Sequence, residues 1–285
     1  MKNILVPLDF SEHANFAFNA AVKLSKKNSV IHLLNSIKSI ADAVQIGTFS
    51  SGDFAASSVS TDQVLALLDL KTNQAKNTLD EYKQKAESQD CNVICHVLQS
   101  SISDSVNSIC DEHNIDLIIM GSHGVSGISE MLIGSNAQKV VRNTRVPVLI
   151  LKDELKSDIN SMVYASNFED DDVNNNIPRA VKMANMFAAE MNFLYVNTPV
   201  YFEDSETSRY KMNQACINFP ESQKHIFNHF SVEDGIIGFA KVNSIDTICI
   251  TTHSFTSLRR FFNNNIVEHL VNHCKRPILS LHVRN

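Results

Sequence analysis

Residues 115–152 repeat at 245–282, without a gap, at a shift of 130. Ile115-Asp116-Leu117-Ile118-Ile119 meets Ile245-Asp246-Thr247-Ile248-Cys249. His123 meets His253, Val141 meets Val271, and Pro147, Leu149 and Leu151 meet Pro277, Leu279 and Leu281. The same shift carries Ser101 and Asp104 onto Ser231 and Asp234. Self-similarity at a fixed offset means that one structural unit occurs twice, and that excludes most other folds for the chain. The starts of the halves also match: Ile4-Leu5-Val6-Pro7-Leu8-Asp9-Phe10 resembles Met162-Val163-Tyr164-Ala165-Ser166-Asn167-Phe168. That match needs a larger shift, so the first half holds extra residues, near 38–80. They include Gly47-Thr48-Phe49-Ser50-Ser51-Gly52 and Ser57-Ser58-Val59-Ser60, a composition that reads as a flexible loop. Polar Lys152-Asp153-Glu154-Leu155-Lys156-Ser157-Asp158 suits a linker. The expected domains are 1–152 and 160–285.

Each half alternates strand and helix signals. In the first, Ile4–Val6 is a short apolar run ending at Pro7, and Ser11 stands where an N-cap belongs, before a helix-like stretch from Ala14 to Lys26. Val30–Leu34 and Val93–Val97 read as strands, and 63–88 as a long polar helix. Val106–Asp111 is helical, and Ile115–Met120 is a strand buried on both faces. Ser135–Arg142 is a last helix and Val146–Leu151 a fifth strand. Strict alternation implies a parallel sheet covered by helices on both faces. The fold class is therefore α/β, as two tandem five-stranded parallel-sheet units.

Bulk composition removes other classes. Of 285 residues, 44% are apolar and 20% charged, which is globular and not disordered, collagenous or coiled-coil. A net charge of −6 and the lack of a Lys/Arg-rich run argue against a nucleic-acid surface. No apolar run approaches the ~20 residues of a membrane span. The opening Met1-Lys2-Asn3-Ile4-Leu5-Val6-Pro7 is too short for a signal-peptide core. The expected location is the cytoplasm. The six cysteines form no CxxC pair and are scattered through apolar segments, as buried free thiols are.

Glycine is scarce. The chain has eight, and four of them (Gly121, Gly124, Gly127 and Gly134) lie within one short stretch. Met120-Gly121-Ser122-His123-Gly124 follows the buried fourth strand, and Gly134-Ser135-Asn136 opens the next helix. In an open α/β sheet ligands bind beyond the carboxyl ends of the strands. A helix N-terminus offers unpaired N–H groups and a positive dipole end to phosphate. Gly121, Gly124 and Gly134 would let backbone approach a ligand with no Cβ in the way, and Ser135 could add a hydroxyl. Neither G-x-x-x-x-G-K-[ST] nor G-x-G-x-x-G occurs, so this is neither a P-loop nor a dinucleotide fingerprint. The competing structural reading is a tight strand-to-helix turn.

The spacing G-x-x-G-x9-G-[ST] after a fourth strand resembles the ATP-binding motif of the universal stress protein family, and Ile4–Ser11 is similar to that family's first strand and turn. The resemblance covers the chain as two copies, the first the better match. It implies a Rossmann-like sheet of the adenine nucleotide alpha hydrolase-like kind. It also implies ATP between the loops after the first and fourth strands, with Mg²⁺ an open companion, and a regulatory role in the stress response. Carried onto matching positions, Asp9 would hold the ribose or adenine side, and Pro7 and Leu8 would shape the adenine edge. Asn35, with Ser36, would help enclose the base. Met120, Gly121 and Gly124 would lie along ribose and phosphates, and Gly134, Ser135 and Asn136 would bind the phosphates. Fifth strands pair across a dyad in the family; here Val146–Leu151 and Ile278–His282 could pair within one chain as a pseudo-dimer.

The second half departs from the motif. Asp9 becomes Asn167, Gly121 becomes Thr251, Gly124 becomes Ser254 and Gly134 becomes Asn264. One competent nucleotide site and one degenerate copy are expected. No G-x-S-x-G elbow, acid/base carboxylate pair or arginine finger accompanies the glycines, so slow ATP hydrolysis at most is expected. The rival readings are a weak ATPase and a tandem scaffold without nucleotide.

Histidines weigh towards structure. His123 and His253 are equivalent, and persistence in the degenerate copy favours a structural role. His269 and His273, and likewise His225 and His229, have the i, i+4 spacing that can bind Zn²⁺, but no third clear ligand accompanies either pair. Cys91 and Cys95 on one strand stand ~13 Å apart and cannot share a metal. No metal site is expected.

Overall fold

A computed structural model describes residues 1–37, 61–123, 133–252 and 266–282. The first half builds β1 (Asn3–Pro7), α1 (Glu12–Leu24), β2 (Val30–Ser36), α2 (Thr61–Glu87), β3 (Asn92–Leu98), α3 (Ile102–His113), β4 (Leu117–Gly121), α4 (Ser135–Asn143) and β5 (Val148–Leu151). The second builds β6 (Ser161–Ala165), α5 (Asp170–Phe187), β7 (Glu190–Asn197), α6 (Ser205–Ala215), β8 (Gln223–Asn228), α7 (Val232–Val242), β9 (Thr247–Thr252), α8 (Ile266–His273) and β10 (Ile278–His282). The expected elements are all found, with no end moved by more than four residues. The Ser/Gly-rich stretch expected as a loop lies outside the described residues.

All ten strands join one sheet, in the order β3-β2-β1-β4-β5-β10-β9-β6-β7-β8. Each half is parallel, as the alternation of elements requires. The seam is antiparallel: Ile278 faces Ile150, Leu279 faces Leu149, and Ser280 faces Val148. Leu149 and Leu279 are equivalents under the shift of 130, so an approximate two-fold axis passes between them. Pairing removes two exposed edges, which would otherwise template association. The residues flanking the axis repeat the relation: Gln138 of α4 hydrogen-bonds Glu268 of α8, again equivalents, and Arg142 pairs with Glu268 at 3.0 Å.

The sheet carries one apolar layer on each face, and each layer runs through both halves. Alternate strand residues point to opposite faces. One layer gathers Ile4, Val6, Phe18, Leu33, Leu79, Tyr164 and Phe193 under α1, α2 and α5. The other gathers Leu5, Leu34, Ile118, Ile150, Ile236, Leu270 and Ile278 under α3, α4, α7 and α8. Each fully buried Leu or Ile contributes roughly 1.5–3 kcal/mol relative to exposure.

The repeat keeps its polar fastenings as well as its core. Asp116 Oδ2 accepts the backbone N–H of Lys2 at 2.6 Å and of Asn3 at 3.2 Å. Its equivalent Asp246 accepts those of Asn160 at 2.9 Å and Ser161 at 3.0 Å. Ser101 caps α3 by accepting from the N–H of Asp104, and Ser231 caps α7 by accepting from that of Asp234. Such a cap is worth about 1 kcal/mol. All six cysteines are free; Cys95 is half-buried and the rest are buried. Burial pushes the Cys110 and Cys216 thiols up to about 12. Among the described residues no helix is long and apolar enough to cross a membrane.

Candidate functional site

In the first half the strand order reverses between β1 and β4. β1 has β2 on one side and β4 on the other, so the chain leaves their carboxyl ends in opposite directions. That divergence opens a crevice beyond the two strand ends, where ligands of open α/β sheets bind. Pro7, Leu8 and Asp9 lie on its β1 side, Met120 and Gly121 on its β4 side, and Gly134, Ser135 and Asn136 at the start of α4. Gly124 lies outside the described residues, as do Ser254, Asn264 and His253 of the second half.

The β1 side is tied down by the chain itself. Asp9 Oδ1 accepts from the N–H of Ser11 at 3.1 Å, closing an Asx turn, and Ser11 Oγ caps α1 by accepting from the N–H of Ala14 at 3.2 Å. Asp9 thus closes a local turn while remaining half-buried. Phe10, between them, has φ of 63°, a left-handed value uncommon in an aromatic residue. Phe168 repeats it at 55°, and Asn167 Oδ1 again accepts, from Glu169 at 3.4 Å. The turn therefore belongs to the fold and not to one copy's ligand. Leu8 is buried, its N–H donating to the Leu34 carbonyl at 2.8 Å. Asn35 Nδ2 donates to the Leu8 carbonyl at 2.8 Å, so Asn35 buttresses this loop.

The β4 side gives a different reason for one glycine. A Cβ on Gly121 would lie 2.5 Å from the carbonyl oxygen of His13 and 2.6 Å from its carbonyl carbon. The first turn of α1 presses on the end of β4, and only glycine admits it. Thr251, in the equivalent place, buries a side chain. Gly121 versus Thr251 thus records how closely a helix approaches a strand. Met120 puts its side chain into the α3/α4 apolar layer, so only its backbone is available to the crevice. Ser122 is fully buried; it donates its N–H to the Leu151 carbonyl at 2.8 Å and accepts from the N–H of Gly134 at 2.6 Å. Ser122 Oγ and His123 Nδ1 are 2.8 Å apart, and the His123 ring packs 5.1 Å from that of His13. His123 thereby packs against the first turn of α1.

Gly134 is the N-cap of α4, and no side chain caps this helix. Its φ of −60° and ψ of 144° are open to any residue, so glycine is not required there by backbone geometry. What glycine contributes is the lack of a capping side chain over the first turn. Ser135 and Asn136 are exposed beside it. Among the described residues the N-terminus of α4 thus has no side-chain cap, a feature it shares with α5, whereas α1, α3, α6 and α7 each have a Ser or Asp cap.

Over residues 1–152 the chain matches a family model described as "Universal stress protein family". The chain belongs to the universal stress protein family. Among curated relatives, a universal stress protein of Methanocaldococcus jannaschii is 29% identical over 153 residues, covering 53% of this chain and 94% of that protein. Universal stress protein G of Escherichia coli O157:H7 is 31% identical over 156 residues, 53% of this chain and 99% of that one. The crystal structure of a universal stress protein from Archaeoglobus fulgidus shares the fold over 99% of this chain and 98% of its own, with a TM-score of 0.70 at 17% identity. The Rossmann-like reading of the sequence is thereby borne out, with the two parallel sheets fused into one.

One constellation was not foreseen. His32 of β2, His96 of β3 and His113 at the end of α3 converge, with ligand-capable nitrogens within 4.8 Å of one another. His32 Nδ1 and His96 Nε2 are 3.0 Å apart. Burial, and then the neighbouring His113 and His96, hold the His32 imidazole down to about 4. Burial followed by His113 lowers His96 too. Alternation on parallel strands could have placed His32 and His96 on one face; nothing local in the sequence places His113 beside them. The pairs weighed instead fare differently. His225 lies in strand β8 with His229 just beyond it, so their spacing is not helical. His269 and His273 do meet on α8, with ring centroids 4.4 Å apart and planes tilted by 44°, and His269 Nε2 meets Asp234 Oδ1 at 3.2 Å.

Proposed function

We propose that this universal stress protein binds ATP in the crevice of its first half and acts as a nucleotide-responsive regulator in the stress response. The observation that carries the reading is the uncapped N-terminus of α4 at the reversal of strand order between β1 and β4. An open helix start favours phosphate by its free N–H groups and its dipole. The residues fit the group: Gly134 puts no capping side chain on the first turn, Ser135 and Asn136 are exposed, and the half-buried Asp9 carboxylate would take a ribose hydroxyl. Gly124 is proposed to lie along the phosphates. Leu8, held by Asn35, and Pro7 would form the adenine edge. Mg²⁺ would accompany the phosphates as their counter-ion. The halves 1–152 and 160–285 are proposed to act as a competent and a degenerate unit, the second having Asn264 in place of Gly134.

Mass spectrometry of small molecules released on denaturing the purified chain tests occupancy. Adenine nucleotide is expected, or else a rise in melting temperature on adding ATP that Gly134→Val removes. A nucleotide-free protein with no thermal response to ATP would leave the scaffold reading, which the antiparallel seam of β5 and β10 favours.

A further inference from the structure

The cluster of His32, His96 and His113 stands apart from the crevice. Asn3, the first residue of β1, donates to the His113 carbonyl at 2.8 Å, so the cluster sits towards the amino end of β1. The crevice lies beyond the carboxyl ends. His32 is two residues from Leu34 and shares its face, the one that carries α3 and α4. β2 and β3 pair with Leu34 opposite His96, which makes His32 and His96 diagonal neighbours on that face. α3 then brings His113 over both: ring centroids lie 4.6 Å from His32 and 5.0 Å from His96.

His32 Nδ1 and His96 Nε2 are within hydrogen-bond distance, yet three imidazoles this close are a costly way to fill a core. His32 is 2% exposed. A buried imidazole costs desolvation and adds no apolar gain that a Leu would not exceed. The chain contains its own control. The Leu8 N–H donates to the Leu34 carbonyl, and the Ser166 N–H, its equivalent, to that of Leu194 at 3.1 Å. Leu34 lies opposite His96, and Leu194 opposite His225. Asn192 therefore corresponds to His32, and His225 to His96; the shift of 130 carries His113 onto Asn243. In the second half this spot is filled by Asn192 and His225, which hydrogen-bond at 3.0 Å, and Asn243, whose amide donates to the Phe239 carbonyl at 3.0 Å. The fold thus needs only one His here, and amides satisfy the rest.

We infer that His32, His96 and His113 form a binding site for a divalent transition-metal ion of the Zn²⁺ class. Imidazole nitrogen suits such ions, and three protein ligands leave one tetrahedral position for water. Two nitrogens ~2.0–2.1 Å from a tetrahedral ion are about 3.3 Å apart. The 3.0 Å between His32 and His96 needs little change to reach that, and His113, half-buried on the last turn of α3, closes by side-chain rotation. Partial exposure of His113 gives the ion a path from solvent. Glu112 Oε1, 3.5 Å from His113 Nε2, adds a negative charge at the entrance. Binding would fasten α3 to the outer strands β2 and β3 and stabilise the first half by mass action.

The test uses the full untagged chain, stripped with chelator and titrated with Zn²⁺ by calorimetry and with Co²⁺ by visible absorption. One equivalent per chain is expected, with the intense visible bands of tetrahedral Co²⁺. X-ray absorption of the Zn²⁺ form should show three imidazole nitrogens, a readout independent of any variant. His113→Asn, which copies the second half, should weaken binding more than the roughly 10–100-fold that loss of an outer partner costs. His269→Asn, in the histidine pair of α8, should leave it unchanged. The proposal is overturned by no Zn²⁺ binding, by a coordination shell without three imidazoles, or by binding that His113→Asn spares and His269→Asn removes.

Discussion

Leu149 and Leu279 face each other across the antiparallel seam, and each is the other's equivalent in the internal repeat. A dyad that passes between equivalent residues is what an isologous interface requires. Here it lies within one chain, so the seam is part of the fold's own core. Both side chains are 0% exposed. Leu279→Ala should therefore destabilise the chain by about 2–5 kcal/mol, and Leu149→Ala by a similar amount. Urea unfolding measures both. A cost below about 1 kcal/mol for either would mean that the halves do not depend on their junction.

The contact between Gly121 and His13 makes a second prediction. A methyl group there meets backbone atoms, which cannot rotate away. Gly121→Ala should cost about 1–3 kcal/mol of stability with or without nucleotide, because it pushes α1 off the end of β4. Unchanged stability combined with lost ATP binding would return Gly121 to a direct role at the ligand.

The sequence carried the fold because the signals were local and duplicated. Continuous apolar runs such as Ile115–Met120 marked buried strands, Ser11 marked a helix start, and the shift of 130 aligned Asp116 with Asp246, which fasten equivalent strands. The seam between β5 and β10 came from the family resemblance, not from the alignment of the repeats, and the structure bears it out. The site was legible in outline only. Sequence can mark a glycine but not what its missing Cβ would strike, so the close approach of His13 to Gly121 is a reason for glycine that only the structure supplies. The histidine cluster was missed for a related reason. His32, His96 and His113 are far apart in the chain, and the parallel register and the docking of α3 bring them together, whereas His225 and His229, four apart in sequence, lie on and just beyond strand β8.

His225 offers a pH test in the second half. Burial lowers its imidazole below the usual value of 6.5, against a smaller opposing pull from Glu190. Below about pH 6.5 the unfolded chain takes up a proton that folded His225 refuses, so stability is present above that pH and lost as pH falls towards the lowered value. His225→Gln keeps a donor for Asn192 and removes the titration. The drop in urea midpoint between pH 8 and pH 5 should be smaller in this variant than in the unaltered chain. An equal or larger drop would show that His225 titrates normally when folded.

The account's central claim is one nucleotide site, in the first half. Calorimetry of the nucleotide-stripped full chain with ATP measures it most directly. The expected result is one equivalent per chain, abolished by Gly124→Val and by Gly134→Val and retained when Asn264 is changed to Val. Two equivalents, or one that survives both glycine substitutions, would contradict it.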